Sequence, residues 1–181
     1  MTTVAATLDA PLAQRLVFDT QRGEVRDHDR RYLLMRPDVL MGTLRLLDDE
    51  MRAGVLAAFA ESAAMHGKRS ILAYAAGLGP DAGAALLDLV RRTSPALGWG
   101  CWEIERRGDA LALAVTNSPF AAGYGPAFQP VCAPIAGIFR TIAEVVLAGP
   151  VQAEETTCAA VGGHATCRFV ARPVPKECHH D

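Results

Sequence analysis

The spacing of apolar positions changes several times along the chain, and each change predicts an element. In residues 15–37, "RLVFDTQRGEVRDHDRRYLLMRP", two short aliphatic and aromatic runs flank a polar connection containing Gly23, the pattern of a β-hairpin closed off by Pro37. Beyond it Leu40, Leu44, Leu46, Leu47, Met51, Val55, Leu56 and Phe59 recur mostly at three and four residues, which predicts a helix with Asp38 as its cap. The Ala-rich run from Met51 predicts one long helix, bent near Gly67 and ending at Gly77 or Gly79. "PDAGAALLDLVRRT" opens with Pro80 and Asp81 and carries its own apolar stripe, so a further helix is expected there.

From Gly98 the period is two. "GWGCWEIERRGDALALAVTNS" predicts two strands about an Arg107-Gly108-Asp109 turn. "QPVCAPIAGIFRTIAEVVLAG" returns to helical spacing, starting near Pro130 or Pro134 with Ile135, Ile138, Phe139, Ile142, Val145 and Val146 on one face, and Gly149-Pro150 stops it. "VQAEETTCAAVGGHATCRFVARPV" predicts a third hairpin. Hairpins separated by helices, without regular strand–helix–strand alternation, point to an α+β domain: an antiparallel sheet with helices packed on one face. The expected organisation is one domain over residues 1–172 and a polar tail over 173–181.

Composition agrees with a single core, since half of the 181 residues are hydrophobic. A net charge of -2 and a pI near 6.2 supply no field that would draw nucleic acid or an anionic membrane surface. The N-terminal "MTTVAATLDAPLAQRL" lacks the basic start and unbroken apolar run of a secretory signal, and polar residues cut every apolar run short of the roughly 20 residues that cross a bilayer. A cytoplasmic protein without a membrane span is expected.

The cysteines change the picture more. There are five, Cys101, Cys132, Cys158, Cys167 and Cys178, and a cytosolic chain of this size needs no disulfides to hold its core, which favours thiolate or metal chemistry. A hairpin sets the residues flanking its turn side by side, so Cys158 and Cys167 can meet across "AAVGGHAT". Glu155 stands three residues before Cys158, and Cys132, at the start of the preceding helix, can supply a fourth group. Three thiolates and a carboxylate form a closed tetrahedral set for zinc, the arrangement of structural rather than catalytic sites. Two other readings accompany it: cysteines as small apolar core residues with Glu155 in solvent, and a redox switch in which Cys158 and Cys167 form a disulfide. Glu154 is the rival oxygen ligand and His164, in the turn, an alternative one.

The run "GWGCWEIE…NSPFA…PVCAPIAGIF…ETTCAAVGGHATCRF" resembles the 4-vinyl reductase domain family over about Gly98 to Val170. This resemblance implies a fold like that of the small lipid-binding trafficking-complex (TRAPP-type) subunits. It also implies kinship with the sensory domains of phenol- and toluene-responsive regulators and with the protein named as the 4-vinyl reductase of bacteriochlorophyll synthesis. The sensory domains hold structural zinc through groups that match Cys132, Glu155, Cys158 and Cys167. They also hydrogen-bond their effector through a Trp after an Asn-Ser pair and through a His at the end of the helical half. Here Pro119 follows Asn117-Ser118 and "RRTSPALGWG" contains no His, so phenol sensing is not the expectation.

A hydride-transferring enzyme would need a cradle for its cofactor's phosphates. "GLGPDAG", residues 77–83, follows a helix rather than a strand and does not fit G-x-G-x-x-G. His66 lies within a helical pattern and reads as a partly buried or surface residue rather than a catalyst. The expectation is therefore a stand-alone, zinc-stabilised sensor or carrier for a hydrophobic small molecule such as a tetrapyrrole intermediate. The alternative is an enzyme or accessory factor in 4-vinyl reduction. Trp99, Trp102, Asn117, Phe120 and Phe139 are the candidate ligand contacts, with Ser118, Tyr124 and Phe128 in the same half. A homodimer through the Ala-rich helices and a protein partner for output are the expected associations.

Overall fold

A computed structural model describes residues 12–76 and 82–175. The described residues begin with a short helix α1 (Leu12–Arg15) and three short strands, β1 (Val17–Asp19), β2 (Glu24–Asp27) and β3 (Arg30–Tyr32), paired in that order and all antiparallel. The first predicted hairpin is thus a three-stranded meander. The polar connection itself became β2, because Asp27 is buried and takes the Arg15 guanidinium at 2.9 Å, which satisfies the carboxylate that made the segment read as a loop.

Helix α2 (Pro37–Gly42) and a 3₁₀ turn (Thr43–Leu46) precede the long helix α3 (Asp49–Ala76), so the helix predicted from Leu40 onward is broken at Leu47, whose backbone is extended. Arg36 occupies the N-cap of α2, and Asp38 lies in the first turn, where its charge suits the helix N-terminus without capping it. The predicted end of α3 at Gly77 or Gly79 lies outside the described residues. Helix α4 (Ala82–Ala96) follows.

Strands β4 (Cys101–Arg107) and β5 (Ala110–Thr116) form the hairpin expected about Gly108-Asp109. A short helix α5 (Pro119–Tyr124) leads to α6 (Ala133–Val146), with Pro134 in its first turn, and the chain closes with β6 (Val151–Thr157) and β7 (Thr166–Pro173). The second sheet has the order β4-β5-β7-β6, antiparallel throughout, so the last hairpin folds back to lay β7 beside β5.

Strict alternation gives this sheet two different faces. Trp102 and Ile104 on β4, Leu111, Leu113 and Val115 on β5, and Cys167, Phe169 and Ala171 on β7 all turn inward and are buried. Ile135, Phe139 and Ile142 of α6 are fully buried in the same core cluster. Behind α6 runs α3, and the two helices approach closely because small residues meet: a Cβ on Gly137 would collide with the backbone carbonyl of Ala60. Thr141 bridges the same contact, its hydroxyl donating to the Ala64 carbonyl at 3.3 Å. At the rim the Arg140 guanidinium donates to both oxygens of Glu61 at 2.7 and 2.8 Å. Gly67, read as a bend, is where Ile138 of α6 lies against α3. The architecture is the α+β arrangement expected, an antiparallel sheet with helices on one face. Among the described residues no helix is long and apolar enough to cross a membrane.

Candidate metal centre

Cys132 is the N-cap of α6, fully buried, its sulfur directed toward the end of the last hairpin. Cys158 is the first residue past β6, and Cys167 lies on the inner face of β7, opposite Val115 of β5. The eight-residue connection closes through Gly162 and Gly163, at φ 66° and 75°, conformations that glycine adopts without strain.

Glu155 and Cys158 are an odd number of residues apart, so in a regular strand they would point to opposite faces. A β-bulge resolves this. Glu155 pairs with Phe169 and Thr157 already pairs with Arg168, which leaves Thr156 as an extra residue and turns Cys158 to the same side as the Glu155 carboxylate. Glu154, the rival ligand, points outward and pairs with Arg172 at 3.0 Å on the surface. His164 is exposed in the turn, Cys101 is exposed on β4, and Cys178 lies outside the described residues.

Three sulfurs and a carboxylate oxygen thus converge, all within 4.8 Å of one another. The Cys132 sulfur lies 3.6 Å from that of Cys167 and 3.9 Å from that of Cys158. A tetrahedral zinc with sulfur bonds of about 2.3 Å separates its sulfurs by about 3.8 Å, so the observed spacings bracket the value such an ion requires. One oxygen of Glu155 accepts the Cys132 N–H at 2.9 Å, while the other, Oε1, is buried without a hydrogen-bond partner. An orphaned buried carboxylate oxygen beside three sulfurs is poorly satisfied by protein alone and well satisfied by a cation. Sulfur-directed amides complete the setting: the Ala159 N–H donates to Cys167 at 3.2 Å, and amides of Val131 and Ala160 face Cys158. The donor set therefore fits a divalent metal of the zinc type.

Electrostatics divides the four groups. Hydrogen bonds from Cys132 and then Cys167 hold the Cys158 thiol down at about 2, so it carries the negative charge of the cluster. The same bond to Cys158 drives Cys132 far upward. Cys167 is pulled down by Cys132, but its bond to Cys158 and its burial outweigh this and push it up to about 12. Burial, then the Cys158 charge, pushes Glu155 up to about 8. At pH 7 three of the four groups therefore hold a proton that a metal must displace, and uptake should release about three protons per ion. Glu155→Gln should lower this to about two. Apparent affinity should fall with pH over the whole range below the raised thiols, and more steeply below about 8, where protons compete for Glu155 as well. A pH-indicator titration in weak buffer reads the release, and a proton count near zero would contradict the assignment.

The candidate ligand contacts are not grouped in the same way. Phe120 is buried on α5 and meets Trp99 and Phe59 edge-on, with ring centroids 5.2 and 6.0 Å away. Trp102 and Phe139 are packed into the core between the sheet and α6, and Trp102 donates its indole N–H to the Trp99 carbonyl at 2.9 Å. Asn117 is exposed at the end of β5 with φ 57°, and Phe128 projects fully into solvent. A depression of about 250 Å³ lies on the opposite, outer face of the sheet, lined among others by Glu103, Glu105, Arg107, Ala112 and Arg168. Phe59 was missed as a member of the aromatic cluster because it reads as one more apolar position on a long helix.

Comparison with known proteins agrees with this anatomy. Residues 111–173 match the V4R domain. That segment runs from β5 to the end of β7 and contains all four groups of the centre. The fold as a whole is similar to the phenol-responsive sensory domain of the transcription activator PoxR, solved with phenol, at 17% identity and a TM-score of 0.72, covering 96% of this chain and 91% of that one. It is also similar to a vinyl-4-reductase family protein from Methanocaldococcus jannaschii, at 15% identity and a TM-score of 0.55 over 97% and 99% of the two chains. A weaker likeness, with a TM-score of 0.49 and 14% identity, is to a trafficking protein particle complex subunit 3 from Naegleria fowleri covalently bound to palmitic acid, over 77% and 95%. No curated protein matches the chain. The resemblance to the V4R domain is thus shown over residues 111–173, and the solved structures share the fold of the chain.

Proposed function

We propose that this protein binds a small hydrophobic molecule as a sensor or carrier, with a zinc ion held by Cys132, Glu155, Cys158 and Cys167 fixing the last hairpin to α6. The observation that carries the ligand-binding reading is the aromatic cluster of Phe59, Phe120 and Trp99. It joins α3, α5 and the approach to β4 close to the Ser118–Cys132 contact, and its three rings, in T-shaped pairs about Phe120, form an apolar wall suited to a flat aromatic guest. The fold shared with a phenol-responsive sensory domain supports the same reading by analogy. When bound, the metal supplies a structural clamp, because four protein ligands leave no position for water or substrate.

Within this reading Trp99 and Phe120 meet the guest, Trp102 and Phe139 support them from the core, Asn117 sets the turn that places Phe120, and a tetrapyrrole is the leading ligand class. A second copy of the chain is the leading partner. Met51, Val55, Met65 and Leu72 are exposed on α3, and Ala58, Ser62 and Arg69 fill the intervening three- and four-residue steps, giving a continuous solvent-facing stripe. The protein is assigned to the cytoplasm, with any signal passed to a protein partner.

Purified protein titrated with a divinyl tetrapyrrole should give a saturable shift of the pigment spectrum near one ligand per chain, without consumption of added NADPH. NADPH-dependent loss of the vinyl signature would make the protein an enzyme instead. Calorimetry with no uptake of the pigment or of any smaller aromatic would leave a scaffold.

A further inference from the structure

We propose that Ser118 couples the metal centre to the aromatic cluster, by donating its hydroxyl proton to the Cys132 sulfur while its oxygen caps the helix that carries Phe120. This rests on the reading that the four groups hold a metal.

The hydroxyl of Ser118 lies 3.1 Å from the Cys132 sulfur, and the residue is 3% exposed. Ser118 is also the N-cap of α5, its oxygen accepting the Ala121 N–H at 3.4 Å. That amide supplies its own hydrogen, so the serine proton remains free for a second bond. A metal-bound thiolate has no proton to give, so in the loaded centre the bond runs from oxygen to sulfur. A hydroxyl aimed at a ligating thiolate fixes the orientation of that ligand and withdraws electron density from it, the role of groups just outside a metal's coordination shell.

The other end of the connection is equally short. Asn117, with a left-handed backbone at φ 57°, turns the chain from β5 into α5, and this turn drives Ser118 inward. Pro119 occupies the first turn, where its missing N–H costs nothing. Phe120 comes next, meeting Trp99 and Phe59. A shift of the Cys132 sulfur is therefore transmitted to the cluster through one hydrogen bond and one helical turn. By linkage, rearrangement of the cluster around a guest must alter metal affinity by the same factor as the metal alters affinity for the guest.

Cobalt(II), whose thiolate complexes absorb through sulfur-to-metal charge transfer, is the probe. In Ser118→Ala the sulfur loses its donor, so the band should move to longer wavelength and cobalt affinity should fall about 10- to 100-fold. Ser118→Thr, which keeps the hydroxyl, should restore both. A wild-type band that persists unchanged in Ser118→Ala, with unchanged affinity, overturns the proposal and leaves the metal reading intact. A wild-type chain that gives no thiolate band with cobalt removes the metal reading and the proposal with it. Should Ser118→Ala fail to fold, Trp102→Phe leaves Trp99 as the single tryptophan. Its emission should shift when zinc is loaded into the chelated protein, and an unmoved emission at full zinc occupancy would sink the coupling.

Discussion

Stripping the metal with a chelator should lower the stability of the wild-type protein by about 4 kcal/mol, the linkage expected of an ion present at a thousand times its dissociation constant. For a chain of this length that corresponds to a fall in melting temperature on the order of 10 °C. The reason is topological. Cys132 caps α6, while Glu155, Cys158 and Cys167 belong to the β6–β7 hairpin, so the four groups converge only when helix and hairpin are docked, and binding energy becomes folding energy. Cys132→Ala should destabilise the chain and make its melting insensitive to chelator, because the remaining three groups all belong to the hairpin. If the cysteines were merely small core residues, substitution would still cost stability, but chelation of the wild type would do nothing. Differential scanning calorimetry with and without chelator, alongside elemental analysis of protein purified without added metal, separates the two.

Phe139→Ala should cost about 3–5 kcal/mol, the range for removing a large buried aromatic side chain. Phe139 is fully buried on α6, one turn from both Ile135 and Ile142, in the core shared with Phe169 and Leu113 of the sheet. Phe128→Ala, by contrast, should change stability by less than about 0.5 kcal/mol, since its side chain is wholly in solvent. Urea midpoints of the two variants provide the comparison. A Phe139→Ala protein of near-native midpoint but weakened ligand uptake would mean that its ring faces a guest rather than the core.

The two phenylalanines also show where the sequence stops being informative. Both lie in the aromatic-rich half, yet Phe139 sits on the apolar stripe of a strong helical pattern and Phe128 in a segment with no period, so burial follows from pattern and not from residue type. The β4–β5 hairpin and α6 were legible for that reason. Alternation or helical spacing, with Gly108 or Pro134 and Gly149 as punctuation, specified each without help from the rest of the fold. The break at Leu47, strand β2 and helix α5 were not. Each is short, and two depend on partners distant in sequence: Asp27 of β2 needs Arg15, and α5 needs the contact of Gly123 with the carbonyl of Pro37, where a Cβ would clash. Local propensity cannot reveal such partners.

The candidate metal site was legible in its membership and not in its mechanism of assembly. Cysteine counting and hairpin logic gathered Cys132, Glu155, Cys158 and Cys167, but the bulge that lets Glu155 and Cys158 face the same way depends on a register shift that no residue type announces. The same shift decides between Glu155 and Glu154. The capping role of Ser118 is legible in the sequence, since a serine followed by proline before an apolar run is a helix-start signature. What the sequence lacked was any sign that its hydroxyl reaches a sulfur.

The division of the ligands between hairpin and helix also sets an order of events during folding. Glu155, Cys158 and Cys167 are near neighbours in sequence, so closing the loop that unites them costs little chain entropy, whereas Cys132 must be recruited across the whole of α6. If the four groups hold a metal, the β6–β7 ribbon would therefore capture it first and present it as a docking point. Arrival of the helix then completes both the coordination shell and the layer of helix against sheet in one step.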